Sequence, residues 1–308
     1  MVSVNEAVDA FEQRFGRHDG FRRLHAKGWL YRGTFTPASS AAALTRAALF
    51  SDAAVTAVIR FSNGAGDPLS PDYAADVRGM AVKLSEGPAA LDIVAQTAPR
   101  FPVRTLARFV DVVRASATSA HAFPALARLV AGDVRVLGAL KANLGALKPP
   151  ASYATQRYFA VHAFRWVDPD GGSRFVRYTW EPTAGVEYLS TREAKSRGHD
   201  YLHDDLDERL ASGPVTFTLL VQIAQDGDDV NDPTSQWPDD RPVIEVGTLA
   251  ITGPETTRET GDDILVFDPT RVIDGIELSD DPILQVRSQV YGESVRRRTG
   301  VARPPRSS

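Results

Sequence analysis

Residues 158–180 read YFAVHAFRWV-DPDGG-SRFVRYTW, and this stretch decides the fold. Two runs rich in aromatic and β-branched residues, Tyr158 to Val167 and Arg174 to Trp180, flank an Asp/Gly cluster at Asp168–Gly172. Such a cluster between two alternating runs predicts an antiparallel hairpin. Similar runs recur on both sides: Ala54 to Ser62, Val77 to Leu84 and Leu91 to Ala95 before it, Val215 to Gln225 and Val243 to Thr252 after it. Between the two strand-rich halves the period changes. Phe109, Val112, Val113, Leu126, Leu129, Val130, Val134, Leu137 and Leu140 predict two or three helices ended by Pro149-Pro150. Leu202 to Leu210 reads as a helix too. Strands dominate and helices are grouped, so the expected class is α+β, with an antiparallel sheet large enough to close into a barrel.

The ends of the chain are helical by the same criterion. Val4, Val8, Phe11 and Phe15 recur at helical spacing up to Gly16, giving an amphipathic helix over 1–16 that packs on the body or on a partner. Asp281 to Arg298 opens with Pro282 and closes in basic residues, predicting a helix over 281–298. Residues 1–302 are read as a single domain and 303–308 as a flexible tail.

The chain has 308 residues, 43% of them hydrophobic, with 35 Lys+Arg against 39 Asp+Glu and no cysteine. A net charge of −4 argues against a dedicated nucleic-acid binder, which needs a basic face. Without cysteine there is no disulfide framework, thiolate nucleophile, iron–sulfur cluster or cysteine-ligated haem. The most apolar stretch, Ala120 to Leu147, is broken by Arg128, Asp133, Arg135 and Lys141, so no membrane span is expected. The N-terminus lacks a charged n-region followed by an apolar run, so a cytoplasmic location is expected.

Several residues could carry chemistry. Arg287 and Tyr291 are four apart on the last helix and share a face. A permanent cation beside a phenol, together with a ferric ion, favours the phenolate, a strong haem ligand; alone, the spacing far more often marks an ordinary helix face. His25 in Arg22-Arg23-Leu24-His25-Ala26-Lys27-Gly28 is either a structural histidine or an imidazole able to move a proton between peroxide oxygens. His199 and His203 have helical zinc spacing, but acidic residues opening a helix give the same pattern without metal. Arg296-Arg297-Arg298 reads as a helix C-terminus, and Gly64, Gly66 and Gly79 form no phosphate loop ahead of a helix.

Further segments follow in order: Ile59-Arg60-Phe61-Ser62, Asp76 to Lys83 (DVRGMAVK), Asp92-Ile93-Val94, Trp237-Pro238 with Pro242 to Gly247 (PVIEVG), and Phe267-Asp268-Pro269-Thr270 leading to Gly275-Ile276-Glu277. With Leu24-His25-Ala26-Lys27-Gly28 before them and Arg287-x-x-x-Tyr291 after them, they resemble the haem catalase family from roughly Phe21 to Arg298. The resemblance implies a catalase-like β-barrel core and a buried haem b. It implies Tyr291 as the iron ligand, Arg287 as the cation beside it and His25 as the distal acid/base, oriented by Ser62. It also implies Arg22, Arg60 and Arg298 at the haem propionates and Phe109 against the porphyrin.

Gln96 and Thr97 stand where the family carries two asparagines, and Leu24 where it usually has valine. The expected form is a minimal one without the C-terminal flavodoxin-like domain, and the chain is similar to the short catalase-related peroxidases. The expected function is peroxide-driven oxidation of small organic donors, with hydrogen peroxide dismutation and non-enzymatic haem binding as alternatives. No nucleic acid or membrane partner is expected. The family's tendency to associate suggests a homodimer, with the N-terminal helix as a candidate contact.

Overall fold

The computed structural model describes residues 2–51, 53–115, 135–255 and 265–299. The helical reading of Leu126 to Val134 and the flexible-tail reading of 303–308 lie outside the described residues.

Eight antiparallel strands form the core: β1 Gly28–Pro37, β2 Val55–Asn63, β3 Arg78–Glu86, β4 Ala89–Gln96, β5 Tyr158–Val167, β6 Ser173–Pro182, β7 Val215–Ile223 and β8 Val243–Pro254. They hydrogen-bond in the order β4-β3-β2-β1-β8-β7-β6-β5, and β4 pairs back to β5 through Gln96 and Phe159, which closes the barrel. Closure removes the unpaired edges that an open sheet would leave to other chains. A short strand, β9 (Ile276–Leu278), adds to β5. The hairpin at Asp168–Gly172 forms as expected, Val167 pairing with Ser173.

Tyr31, Phe35, Phe61, Tyr153, Tyr158, Trp166, Trp180 and Phe217 are all at most 1% exposed and belong to one cluster. Burying a large apolar side chain is worth roughly 2–3 kcal/mol, so this aromatic interior is the main source of barrel stability. Strand β1 was not among the expected segments; Gly28, Gly33 and Pro37 punctuate it, and its register shifts between Arg32 and Gly33 against β8.

The helices are α1 Val4–Phe15, α2 Leu106–Ala115, α3 Arg135–Asn143, α4 Thr191–Ser196, α5 Tyr201–Ser212 and α6 Pro282–Arg298, counted among the described residues. Ser3 caps α1 in a reciprocal capping box with Glu6. The apolar face of α1 (Ala7, Ala10, Phe11) packs on Val110 and Val113 of α2 and on Val290 of α6. Ion pairs fix it there: Arg23 to Glu12 at 2.5 Å, and Arg297 to Asp9 at 2.7 Å and Glu12 at 3.1 Å. That face is thus covered within the chain. The same pairs, with Glu293 bound to Arg296 and Arg297, give these two arginines partners within the chain. No helix among the described residues is long and apolar enough to cross a membrane.

Candidate active site

Asp281 caps α6: its Oδ1 accepts from the Ile283 amide at 2.8 Å, and Pro282 follows as the first helical residue. So started, α6 places Arg287 and Tyr291 one turn apart. The Nε–H of Arg287 donates to the Tyr291 oxygen at 2.9 Å, and its Nη2–H donates to the same atom. Its remaining arm donates from Nη1 to Nε2 of His162 at 2.8 Å, and His162 Nδ1 lies 2.6 Å from Asp281 Oδ2. Burial, and secondarily Arg287, lowers the His162 pKa against the pull of Asp281. A neutral ring that donates from Nδ1 to the carboxylate has an Nε2 lone pair to accept from the guanidinium. Asp281, His162, Arg287 and Tyr291 therefore form one hydrogen-bonded chain.

His162 and Asp281 are absent from the sequence-based site. His162 lies in an irregular part of β5, where pairing with β6 jumps between Ala160 and Phe164. Such a bulge re-aims side chains, and periodicity cannot show it. Asp281 had a signal, an acid directly before Pro282, but that pattern marks only a cap.

On the barrel side, His25 precedes β1 with a left-handed backbone (φ 54°). Its Nδ1 lies 3.0 Å from Ser62 Oγ. Ser62 of β2 pairs with Gly79 of β3, and Gly79 pairs with Gln96 of β4. Cross-strand neighbours face the same way, so Ser62 and Gln96 flank Gly79 on one face of the sheet at about 5 Å per strand. The imidazole occupies the space over Gly79: a Cβ there would lie 2.8 Å from His25 Nδ1 and 2.7 Å from Ser62 Oγ. Gln96 Nε2 donates to the Ala98 carbonyl at 3.4 Å, and Thr97 Oγ1 accepts from the Arg78 amide.

Burial first, then the fields of Arg60, Arg287 and Arg22, push the His25 pKa down to about 3. The ring is therefore neutral, and guanidiniums from β2, from α6 and from the segment before His25 act on one imidazole. Arg60 is buried, with Nη2 toward the Ala26 carbonyl at 3.4 Å; Arg22 donates to the Leu265 carbonyl at 2.9 Å. Arg298 is buried about three turns beyond Arg287. Phe109 stands between Phe101 (5.0 Å) and Phe11 (5.9 Å), in a cluster that also holds Leu24 and Val290.

The weaker candidates have structural partners. His203 stacks on Trp29 at 4.5 Å and meets the Tyr31 hydroxyl at 3.0 Å; His199 faces Asp200 and the Leu69 carbonyl. No group of three or more metal-binding side chains occurs among the described residues.

Comparison with known proteins agrees over most of the chain. A family model described as Catalase matches residues 13–303. A catalase-related peroxidase of Mycolicibacterium paratuberculosis is 48% identical over 304 residues, covering 98% of this chain and 96% of the relative. One of Synechococcus elongatus is 31% identical over 302 residues, covering 97% and 89%. The crystal structure of a fungal catalase superposes with a TM-score of 0.76 at 23% identity, covering 95% of this chain and 62% of that one.

Proposed function

We propose that this chain, which belongs to the catalase family and is an oxidoreductase acting on peroxide, is a haem b-dependent peroxidase. It reduces hydrogen peroxide or organic hydroperoxides while oxidising small organic donors, with weak disproportionation. The observation that carries the reading is the Tyr291 oxygen, on which two N–H bonds of Arg287 converge, in a chain whose buried His25 is kept neutral.

The residues fit an iron porphyrin. A tyrosine oxygen fixed in place by two guanidinium N–H bonds is a hard oxygen donor suited to ferric iron. Arg22, Arg60 and Arg298 are planar forks suited to carboxylates such as the haem propionates. Bound there, haem would supply the redox equivalents for cleaving the O–O bond.

The protein handles the proton. With Nδ1–H directed at Ser62, the Nε2 lone pair of His25 takes the proton from one peroxide oxygen and returns it to the other, which leaves as water or as an alcohol. Arg287 holds the Tyr291 oxygen and is itself held by His162, which Asp281 orients. Gln96 carries its carboxamide one methylene further out than an asparagine, so its aim at a second hydrogen peroxide differs, which is why dismutation is expected to be weak. An oriented distal imidazole has no use in a passive haem carrier. Measuring oxygen evolution beside peroxide-dependent oxidation of a chromogenic phenol tests the reading: donor oxidation should dominate, and oxygen evolution at full catalase efficiency would defeat it.

A further inference from the structure

The turn Asn63-Gly64-Ala65-Gly66, which forms no phosphate loop, lies against the backbone of His25. The His25 amide donates to the Gly64 carbonyl at 3.0 Å, and the Ala26 amide to the Ala65 carbonyl at 3.0 Å. These bonds hold His25 in a left-handed conformation that a non-glycine residue adopts at a cost of order 1–3 kcal/mol. What holds the turn is Asp76. Its Oδ2 accepts from the Ala65 amide at 2.8 Å and its Oδ1 from the Val77 amide at 2.9 Å, so one carboxylate ties the exit of β2 to the entry of β3. The Gly64 amide adds a bond to the Val77 carbonyl at 2.9 Å. The fit is tight: a Cβ on Gly64 would lie 2.6 Å from Val77 Cγ2 and 2.7 Å from Asp76 Oδ1. Arg78 donates to the carbonyls of Asp72, Ala74, Asp76 and Val77, anchoring the other limb.

From this geometry we infer that Asp76 is a positioning residue for His25: its carboxylate fixes the Asn63–Gly66 turn, and the turn fixes the backbone that aims the imidazole. The inference rests on the proposed role of His25 at bound haem, and it reaches the reaction only through the placement of that ring. Burial pushes the Asp76 carboxyl up, opposed by Arg78 and the backbone amides, so the site bears an electrostatic cost to keep a carboxylate there.

Two variants test it, Asp76→Asn and Gly64→Ala. The first leaves one acceptor oxygen for two amides; the second pushes a methyl into the carboxylate and Val77. Two readouts are used. Amide hydrogen exchange on the full chain should speed up about tenfold at His25 and Ala65 in both variants. In the haem-loaded chain, cyanide association should slow about 10- to 100-fold with the resting spectrum unchanged, because hydrogen cyanide must give up its proton as it binds and a ring displaced by an ångström is a poor base. A purely structural Asp76 would lower the melting temperature and leave cyanide association at the wild-type rate, which would overturn the proposal. Failure of both variants to fold would also overturn it, by assigning Asp76 to the fold. If the wild-type chain takes up no haemin, the haem reading fails and the exchange measurement alone decides Asp76.

Discussion

Replacing His25 by alanine is expected to lower peroxide consumption about 100- to 10,000-fold, the range typical for a positioned acid/base. Haemin uptake should be unchanged. The separation follows from the geometry, since the imidazole is held by Ser62 and by the Asn63–Gly66 turn, whereas the proposed oxygen donor to iron comes from α6. The acid/base role also fixes the sign of the pH dependence. An ordinary imidazole is half protonated near pH 6.5, but burial and three guanidiniums take His25 down to about 3. The active neutral form is then fully populated across neutral and mildly acid pH, and a falling limb appears only as pH approaches that value. Wild-type initial rates of peroxide consumption should therefore show no limb near pH 6.5. A limb at that point, or a His25→Ala variant of normal activity, would remove His25 from the mechanism.

Replacing Asp281 by alanine is expected to cost about 3 kcal/mol of folding stability, because one side chain does two jobs. Its Oδ1 caps α6 through the amides of Ile283 and Leu284, and loss of such a cap costs roughly 1 kcal/mol. Its Oδ2 receives His162, which is 1% exposed, and a buried donor without a partner costs about 1–3 kcal/mol. Asp281→Asn keeps a capping oxygen and should recover about half of the loss. Urea midpoints of the three proteins give the comparison; a difference below about 1 kcal/mol for alanine would mean that the buried chain from Asp281 to Tyr291 is energetically idle. Since Arg287 donates to both His162 and Tyr291, Asp281→Ala should also weaken haemin retention.

Much of this fold is legible in the sequence because period-two runs between Gly, Pro and Asp have few other readings. The hairpin around Asp168–Gly172 and the final helix form within a residue or two of their expected bounds. Strand β1 escaped because its glycines serve packing rather than turning: Gly33 lies against the Ala250 carbonyl, where no side chain fits. Within the site, Arg287 and Tyr291 were visible because their contact is local to one helix. His25 and Ser62, 37 residues apart, were joined only through the family resemblance, and the structure brings them to 3.0 Å. His162, in the bulge of β5, left no trace in residue pattern, and Asp76, although it opens the DVRGMAVK segment, gave no sign of its role because its contacts are to backbone amides. Long-range register and main-chain hydrogen bonds are set by closure of the barrel, not by local composition. The N-terminal helix was legible as amphipathic, but its partners were not, since the apolar side chains of α2 and α6 and the charges of Arg23 and Arg297 that hold it lie outside it in sequence.

The central claim is that the phenol oxygen of Tyr291, held by Arg287, binds ferric haem. Titration of the purified chain with haemin, followed by absorption spectroscopy beside the Tyr291→Phe variant, tests it most directly. The wild type should bind one haem per chain with a ferric phenolate spectrum, and the variant should lose that spectrum. A wild-type chain that stays colourless, or a Tyr291→Phe variant with the wild-type spectrum, would contradict it.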